Sequence, residues 1–358
     1  MNRNQKTALL ICIVLFIFHY SPNRLYAQTT IHKVSKKDSL KTANEAFKMI
    51  NKPEPVFKPF QMPKMDSAQI ADMGFDQVYK NQPTKYRMRD GKYLSAQKFS
   101  QVSNTTIVLL HGMLSSSFTM NRMAGMLQAA TKAEIIAIDL RGHGGSDGTP
   151  GDVDYIDQYA DDIEDIVTSI KKQKPGGRII IAAHSMGGGI ALRYAMKEFA
   201  PKVDGYILFA PLLGHNAPTL PKGSADTGSA ANFMKIDLMR IIGLRMYNSI
   251  DVHQYDNLPV LFFNLPKEMP FNKYTYRSNV SMAPDDYKCG LNAVGQPLLV
   301  IVGSKDEAFV ASEFKPAVEN NSKGRVIVIN GATHDGVRRN VTAMDTVRVW
   351  YNQHYSDK

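Results

Sequence analysis

Ser185 stands in Ala183-His184-Ser185-Met186-Gly187, after the apolar run Ile179-Ile180-Ile181-Ala182 and before a helical stretch. A serine at a tight strand-to-helix turn is driven into a strained backbone conformation that lifts its hydroxyl above the sheet edge, where it can act as a nucleophile. Backbone crowds such a turn, so small residues are needed two before and two after the serine, and Ala183 and Gly187 meet that need. A neutral serine attacks poorly unless a base takes its proton and an acid holds that base. On a scaffold of this kind the acid and then the base follow the nucleophile, at the ends of later strands. That order thins the nine histidines. His19, His32, His111, His143 and His184 precede Ser185, His215 and His253 lie ahead of any late acid, and His354 reads as a surface residue. His334 remains as the base, in Asn330-Gly331-Ala332-Thr333-His334-Asp335-Gly336, directly after an apolar run. Asp306, in Gly303-Ser304-Lys305-Asp306-Glu307, is the acid, with Glu307 its local rival and Asp335 badly placed to orient the base.

Acyl transfer also needs donors for a developing oxyanion. The Met186 amide, at the start of the helix behind the serine, is one candidate. The Met113 amide, in His111-Gly112-Met113-Leu114 after an earlier strand, is the other, with His111 tying that loop down. Asp139-Leu140-Arg141-Gly142-His143-Gly144-Gly145-Ser146 could suggest phosphate binding, but no Lys-Ser/Thr follows and it is no P-loop. It reads as a tight loop supporting the oxyanion loop. The acids between Asp152 and Asp165 lack the register of a calcium-binding loop and fit a helix start followed by a solvated face.

The elements that would position these residues are legible as β-branched runs at 107–110, 135–138, 178–182, 205–209, 298–302 and 325–329. Helical patterns at 117–130, 155–172, 186–199, 309–319 and 337–352 alternate with them. Strands apolar on both faces, alternating with helices, predict a parallel sheet covered on both sides. Asp90-Gly91, between 84–89 and 92–99, predicts a leading antiparallel hairpin. About 85 residues, 212–296, separate two of the strands; this is too long for a loop and predicts an inserted cap, with helical periodicity over 232–247. The cap carries Phe233, Met234, Met239, Met246, Phe262, Phe263, Met269, Phe271 and Met282, which could line an acyl groove or fill the cap's own core.

Ahead of this domain, residues 28–83 form a polar, proline-broken extension, a spacer or strap with one amphipathic helix over 39–50 presenting Leu40, Ala43, Phe47 and Ile50 on one side. Residues 1–27 read as an export signal, with Arg3 and Lys6 before an apolar run from Ala8 to Phe18 that is short of the roughly 20 residues a spanning helix needs. An uncleaved N-terminal membrane anchor is the alternative. Removing Arg3, Lys6 and Arg24, with no acid, lowers the net charge from +10 to +7 and leaves Cys289 as the sole cysteine. The basic residues are scattered and not interleaved with aromatics on one face, which excludes a nucleic-acid surface and leaves at most a weak attraction to a membrane or lipid surface.

Together, His111-Gly112, the 139–146 loop, His184-Ser185-Met186-Gly187-Gly188, Asp306 and His334 resemble the α/β-hydrolase superfamily, and within it the monoacylglycerol lipase, lysophospholipase and serine aminopeptidase-like group. The resemblance covers residues 84–356 and implies an eight-stranded, mostly parallel sheet with helices on both faces, a cap between the sixth and seventh strands, and no metal or organic cofactor. Ala183 departs from the glycine usual at that position. The expected substrate is a small acyl ester such as an acylglycerol or lysophospholipid. The alternatives are a prolyl-type aminopeptidase, whose cap carboxylates would hold a free amino terminus, and a non-catalytic binding protein on the same fold.

Overall fold

The computed structural model describes residues 36–59, 77–221, 233–266 and 269–355; the expected export segment lies outside them. Eight strands form one sheet: β1 (Gln82–Arg87), β2 (Tyr93–Phe99), β3 (Thr105–Leu110), β4 (Glu134–Ile138), β5 (Arg178–His184), β6 (Gly205–Phe209), and, beyond the cap, β10 (Leu298–Gly303) and β11 (Arg325–Ile329). Their spatial order is β1-β2-β4-β3-β5-β6-β10-β11. β1 pairs antiparallel with β2, and β2 antiparallel with β4, while every other pair is parallel. The hairpin and the parallel sheet therefore match expectation, with boundaries shifted by two residues at most.

Alternation along the strands sorts their side chains into two cores. Val108, Leu110, Ile181, Ala183, Leu208, Val300 and Val302 face one way and pack with α3 (Gln158–Gln173), α4 (Met186–Ala195) and α8 (Phe314–Glu319). Ile107, Leu109, Ile180, Ala182, Ile207, Phe209, Leu299 and Ile301 face the other and pack with α2 (Asn121–Thr131) and α9 (Val341–Tyr355). All six residues of β3 and all but the first of β5 are buried. Each large aliphatic buried this way contributes about 1.5–3 kcal/mol, so β3 and β5, which lead into the His111–Leu114 loop and Ser185, are firmly held.

Between β6 and β10 the cap holds a three-stranded antiparallel sheet, β7 (Met234–Ile236), β8 (Pro259–Phe263) and β9 (Lys273–Thr275), with α5 (Leu238–Asn248), α6 (Tyr276–Ser281) and α7 (Tyr287–Asn292). The helical periodicity over 232–247 is half right. Met234, Lys235 and Ile236 pair with Phe263, Phe262 and Leu261 as a strand, and the helix starts only after Asp237, whose carboxylate caps the Arg240 amide.

In the extension, α1 (Lys36–Ile50) forms, and its inward face matches the expected one at Ala43 and Ile50 but not at Leu40 and Phe47. Ala46 and Ile50 are buried against α5, whereas Leu40 and Phe47 are more than half exposed. Gly243 sets this register, because a Cβ there would lie 2.9 Å from the Ala46 carbonyl oxygen, the Met49 Cβ and the Ile50 Cγ2. Arg240, itself buried, donates to the carbonyls of Ile50, Lys52 and Pro259, so the extension is a strap tied to the cap. Gly243→Val is expected to cost about 1–3 kcal/mol by overpacking this contact and to free residues 36–59 for rapid proteolysis. Unchanged protease resistance of that segment would contradict the packing.

Candidate active site

β5 ends at His184 and α4 begins at Met186, which leaves Ser185 alone to turn the chain. It does so at φ 53°, ψ −119°, a region that a residue with a Cβ enters only under constraint. The constraint is visible: the Ser185 amide donates to Phe209 O at 3.1 Å, and its carbonyl accepts from the Gly188 amide at 2.9 Å and the Leu212 amide at 3.0 Å. A Cβ on Gly187 would fall 2.7 Å from His111 O and 2.8 Å from Leu110 O, so the helix closes on the end of β3 and the loop after it only with glycine there. At the other small position, Ala183 is fully buried in the core layer under α4, and its methyl is accommodated.

Asp306 and His334 come from the two loops that follow β10 and β11. Those loops meet closely: Ser304 and Lys305 amides donate to Ile329 and Ala332 carbonyls, and a Cβ on Gly303 would lie 2.1 Å from Ala332 O. The result brings three expected residues together. Asp306, its side chain wholly buried, lies with Oδ2 2.9 Å and Oδ1 3.1 Å from His334 Nδ1. His334 Nε2 lies 3.0 Å from Ser185 Oγ. A carboxylate accepts only, so Nδ1 carries the proton and Nε2 is free to accept from the serine hydroxyl. Oδ1 of Asp306 also accepts from the Ala308 and Phe309 amides, which fixes the carboxylate's orientation.

The rival acids serve elsewhere. Glu307 accepts from the His334 backbone amide at 3.0 Å, holding the loop that carries His334 rather than its ring. Asp335 is engaged by Arg338 at 3.0 Å, and although burial opposes it, that cation together with His184 and His334 holds its carboxyl below the usual range. His184 adds a further tie: its Nε2 lies 3.0 Å from the His334 carbonyl oxygen, joining the end of β5 to the loop after β11.

The His111–Leu114 loop runs beside Ser185, since a Cβ on Gly112 would be 3.2 Å from Ser185 Cβ. Met186, as the first residue of α4, has an amide that a helix leaves without an internal acceptor. The Met113 amide donates to no protein acceptor among the described residues. The expected role of the 139–146 loop holds. His111 Nε2 accepts from the Leu140 amide at 3.0 Å while Nδ1 lies 2.7 Å from Gly112 O, and Asp139 accepts from the Ser117 and Gly145 amides. Arg141, fully buried, is committed to both oxygens of Asp162 and to Asp90. The acids expected on a solvated face are also largely paired, Asp161, Glu164 and Asp165 with Arg89, and Asp152 with Arg277.

Two residues of this support carry a pH dependence. Burial pushes His111 down to about 4 and His143 down to about 3, the latter further depressed by His111. Both are neutral in the folded chain, and both take up protons on unfolding below their ordinary 6.5. Their stabilisation is thus complete above that value and is lost as pH falls toward about 4, by roughly 3 kcal/mol for His111 alone. Urea midpoints measured from pH 7 to pH 4 are expected to fall steeply over that window, and a flat profile would contradict the neutral histidine pair.

Sequence reasoning missed Tyr274. This cap residue is fully buried, its hydroxyl accepts from the Leu114 amide at 2.8 Å, and it lies 2.9 Å from His143 Nε2. Nothing in Lys273-Tyr274-Thr275 marks it, because its partners lie about 130 and 160 residues away.

A family model for serine aminopeptidase, S33, matches residues 101–256, which include Ser185 but neither Asp306 nor His334. The chain has the α/β-hydrolase fold and is similar to that superfamily. Among curated relatives, this chain is 29% identical over 177 residues to the AB hydrolase superfamily protein YisY of Bacillus subtilis, covering 48% of this chain and 63% of YisY. It is 27% identical over 177 residues to a monoglyceride lipase of Rattus norvegicus, covering 48% of this chain and 58% of the lipase. The chain therefore spans less than two thirds of either relative. Among solved structures, a Pyrococcus furiosus esterase superposes with a TM-score of 0.53 at 17% identity, covering 85% of this chain and 99% of the esterase, which speaks for the fold.

Proposed function

We propose that this α/β hydrolase is a serine hydrolase that cleaves a carboxylic ester of the acylglycerol or lysophospholipid type. The observation that carries the reading is the unbroken chain Asp306–His334–Ser185, with His334 Nε2 3.0 Å from the serine oxygen. In this reading Ser185 Oγ attacks the ester carbonyl as His334 takes its proton. The amides of Met113 and Met186 hold the oxyanion, and the imidazolium returns the proton to the leaving alcohol. Water then enters, gives a proton to His334 and attacks the acyl-enzyme, releasing the acid and restoring the serine. The monoglyceride lipase among the relatives supports the ester class.

The description of the matched family keeps an aminopeptidase reading in view. Such an enzyme needs carboxylates at the site for the substrate's amino terminus, and the described cap acids have other work. Asp237 caps α5, Asp286 caps α7, Asp285 pairs with Arg245, and Asp256 accepts from Asn248 and lies 3.0 Å from His253 Nδ1. Of the apolar cap residues, Phe262, Phe263 and Met282 are buried, Phe263 and Met282 in a core shared with the main sheet, while Phe271 is only partly covered and packs on His143 and Tyr274. Export after cleavage of residues 1–27 is part of the proposal and rests on the sequence of that segment. Assay of p-nitrophenyl esters from acetate to palmitate beside proline anilides is the test. Ester turnover with an optimum chain length and no anilide cleavage is expected. Anilide cleavage without ester turnover would replace the ester reading with the peptidase one.

A further inference from the structure

The cap reaches into the oxyanion loop through one side chain. Leu114, next to the candidate donor Met113, sits at φ 55°, a left-handed conformation that costs a branched residue energy unless something holds it. What holds it is the Tyr274 hydroxyl, which accepts the Leu114 amide at 2.8 Å. The acceptance is directional. His143 Nδ1 lies 2.9 Å from the Arg141 carbonyl, which only accepts, so Nδ1 carries the ring proton and Nε2 must accept from the tyrosine at 2.9 Å. The tyrosine proton is therefore committed to His143, and its lone pair is turned toward Leu114. β9 is itself pinned to the main domain on either side of Tyr274. The Thr275 amide donates to Gly151 O at 3.1 Å, and a Cβ on Gly151 would strike Lys273 O at 2.0 Å.

We propose that Tyr274 is a positioning residue for the oxyanion loop, so that seating of the cap sheet and aim of the Met113 amide are one event. The inference rests on the serine-hydrolase reading above. It makes the cap part of the catalytic geometry as well as a cover for the substrate. Losing the hydroxyl leaves the Leu114 amide without its acceptor and lets the loop relax from its strained conformation, which turns the Met113 N–H away from the oxyanion. A transition-state interaction is weakened while ground-state binding is spared, so the loss falls on kcat and not on KM.

Tyr274→Phe tests this in the full mature chain, with the wild type assayed on the same p-nitrophenyl ester and labelled by a fluorophosphonate. The expected result is a fall in kcat of about 10- to 100-fold with KM within about twofold, somewhat less than removal of an oxyanion donor outright. A trifluoromethyl ketone, whose tetrahedral adduct places an oxyanion in the same hole, should lose inhibition in step with kcat/KM. Circular dichroism at the assay temperature reads the folded fraction, so a variant that melts early is assayed below its transition. A kcat within about twofold of wild type, or ketone inhibition unchanged while turnover falls, would overturn the role of Tyr274. Absence of label and turnover in the wild type would instead sink the serine-hydrolase reading on which it rests.

Discussion

Ser185→Ala is expected to abolish ester turnover, by roughly a millionfold in kcat if the three residues act as one unit. The substitution removes a single oxygen, whose only described partner is His334 Nε2. The backbone bonds that strain the turn, from the Ser185 amide to Phe209 O and from the Gly188 and Leu212 amides to Ser185 O, do not involve the side chain. Alanine therefore inherits the same turn, and the fold should be unchanged by circular dichroism and melting. His334→Ala should cost about as much, and the double variant little more, because a base without a nucleophile has nothing to activate. Turnover surviving in Ser185→Ala at more than about a hundredth of wild type would place the chemistry elsewhere.

The second large effect separates the two neighbouring acids. Asp306→Asn is expected to lower kcat/KM by roughly ten-thousandfold with little loss of stability. Asparagine can keep its carbonyl on the Ala308 and Phe309 amides, where Asp306 Oδ1 now sits, so the loop holds its shape. Its amide group then faces His334 Nδ1 and donates to it, which moves the ring proton to Nε2 and points an N–H at the serine. The base is present, well placed and unable to accept. Glu307→Gln, by contrast, retains a carbonyl for the His334 backbone amide and should stay within about threefold of wild type. Similar losses for both variants, measured as kcat/KM on one ester, would show that the acid's role is shared.

What was legible in the sequence follows from how local each signal is. The buried strands carry their own mark, since a run such as Ile179-Ile180-Ile181-Ala182 is apolar on both faces whatever its neighbours are. The site residues lie in loops just past those strands, so finding the strands and applying chain order isolated Ser185, Asp306 and His334 together. The work of Glu307 was not legible, because two adjacent carboxylates look alike until the backbone shows that one meets a ring and the other an amide. The cap was read less well. Met234–Ile236 becomes strand because Leu261–Phe263 offers it an edge, and that pairing crosses 25 residues of chain. α1 misleads for a similar reason: its own periodicity favours burying Leu40 and Phe47, yet the flat surface at Gly243 admits Ala46 and Ile50 more closely. Tyr274 lies at the far end of this scale, with no local mark and its whole role in two distant partners.

The central claim is that Ser185 is the nucleophile, and covalent capture tests it most directly. The purified protein is treated with a fluorophosphonate, digested, and its peptides are weighed by mass spectrometry. One adduct, on the peptide that contains Ser185, absent from Ser185→Ala and greatly slowed in Asp306→Asn, is the expected result. An unlabelled chain, or an adduct on another residue that persists in Ser185→Ala, would contradict it.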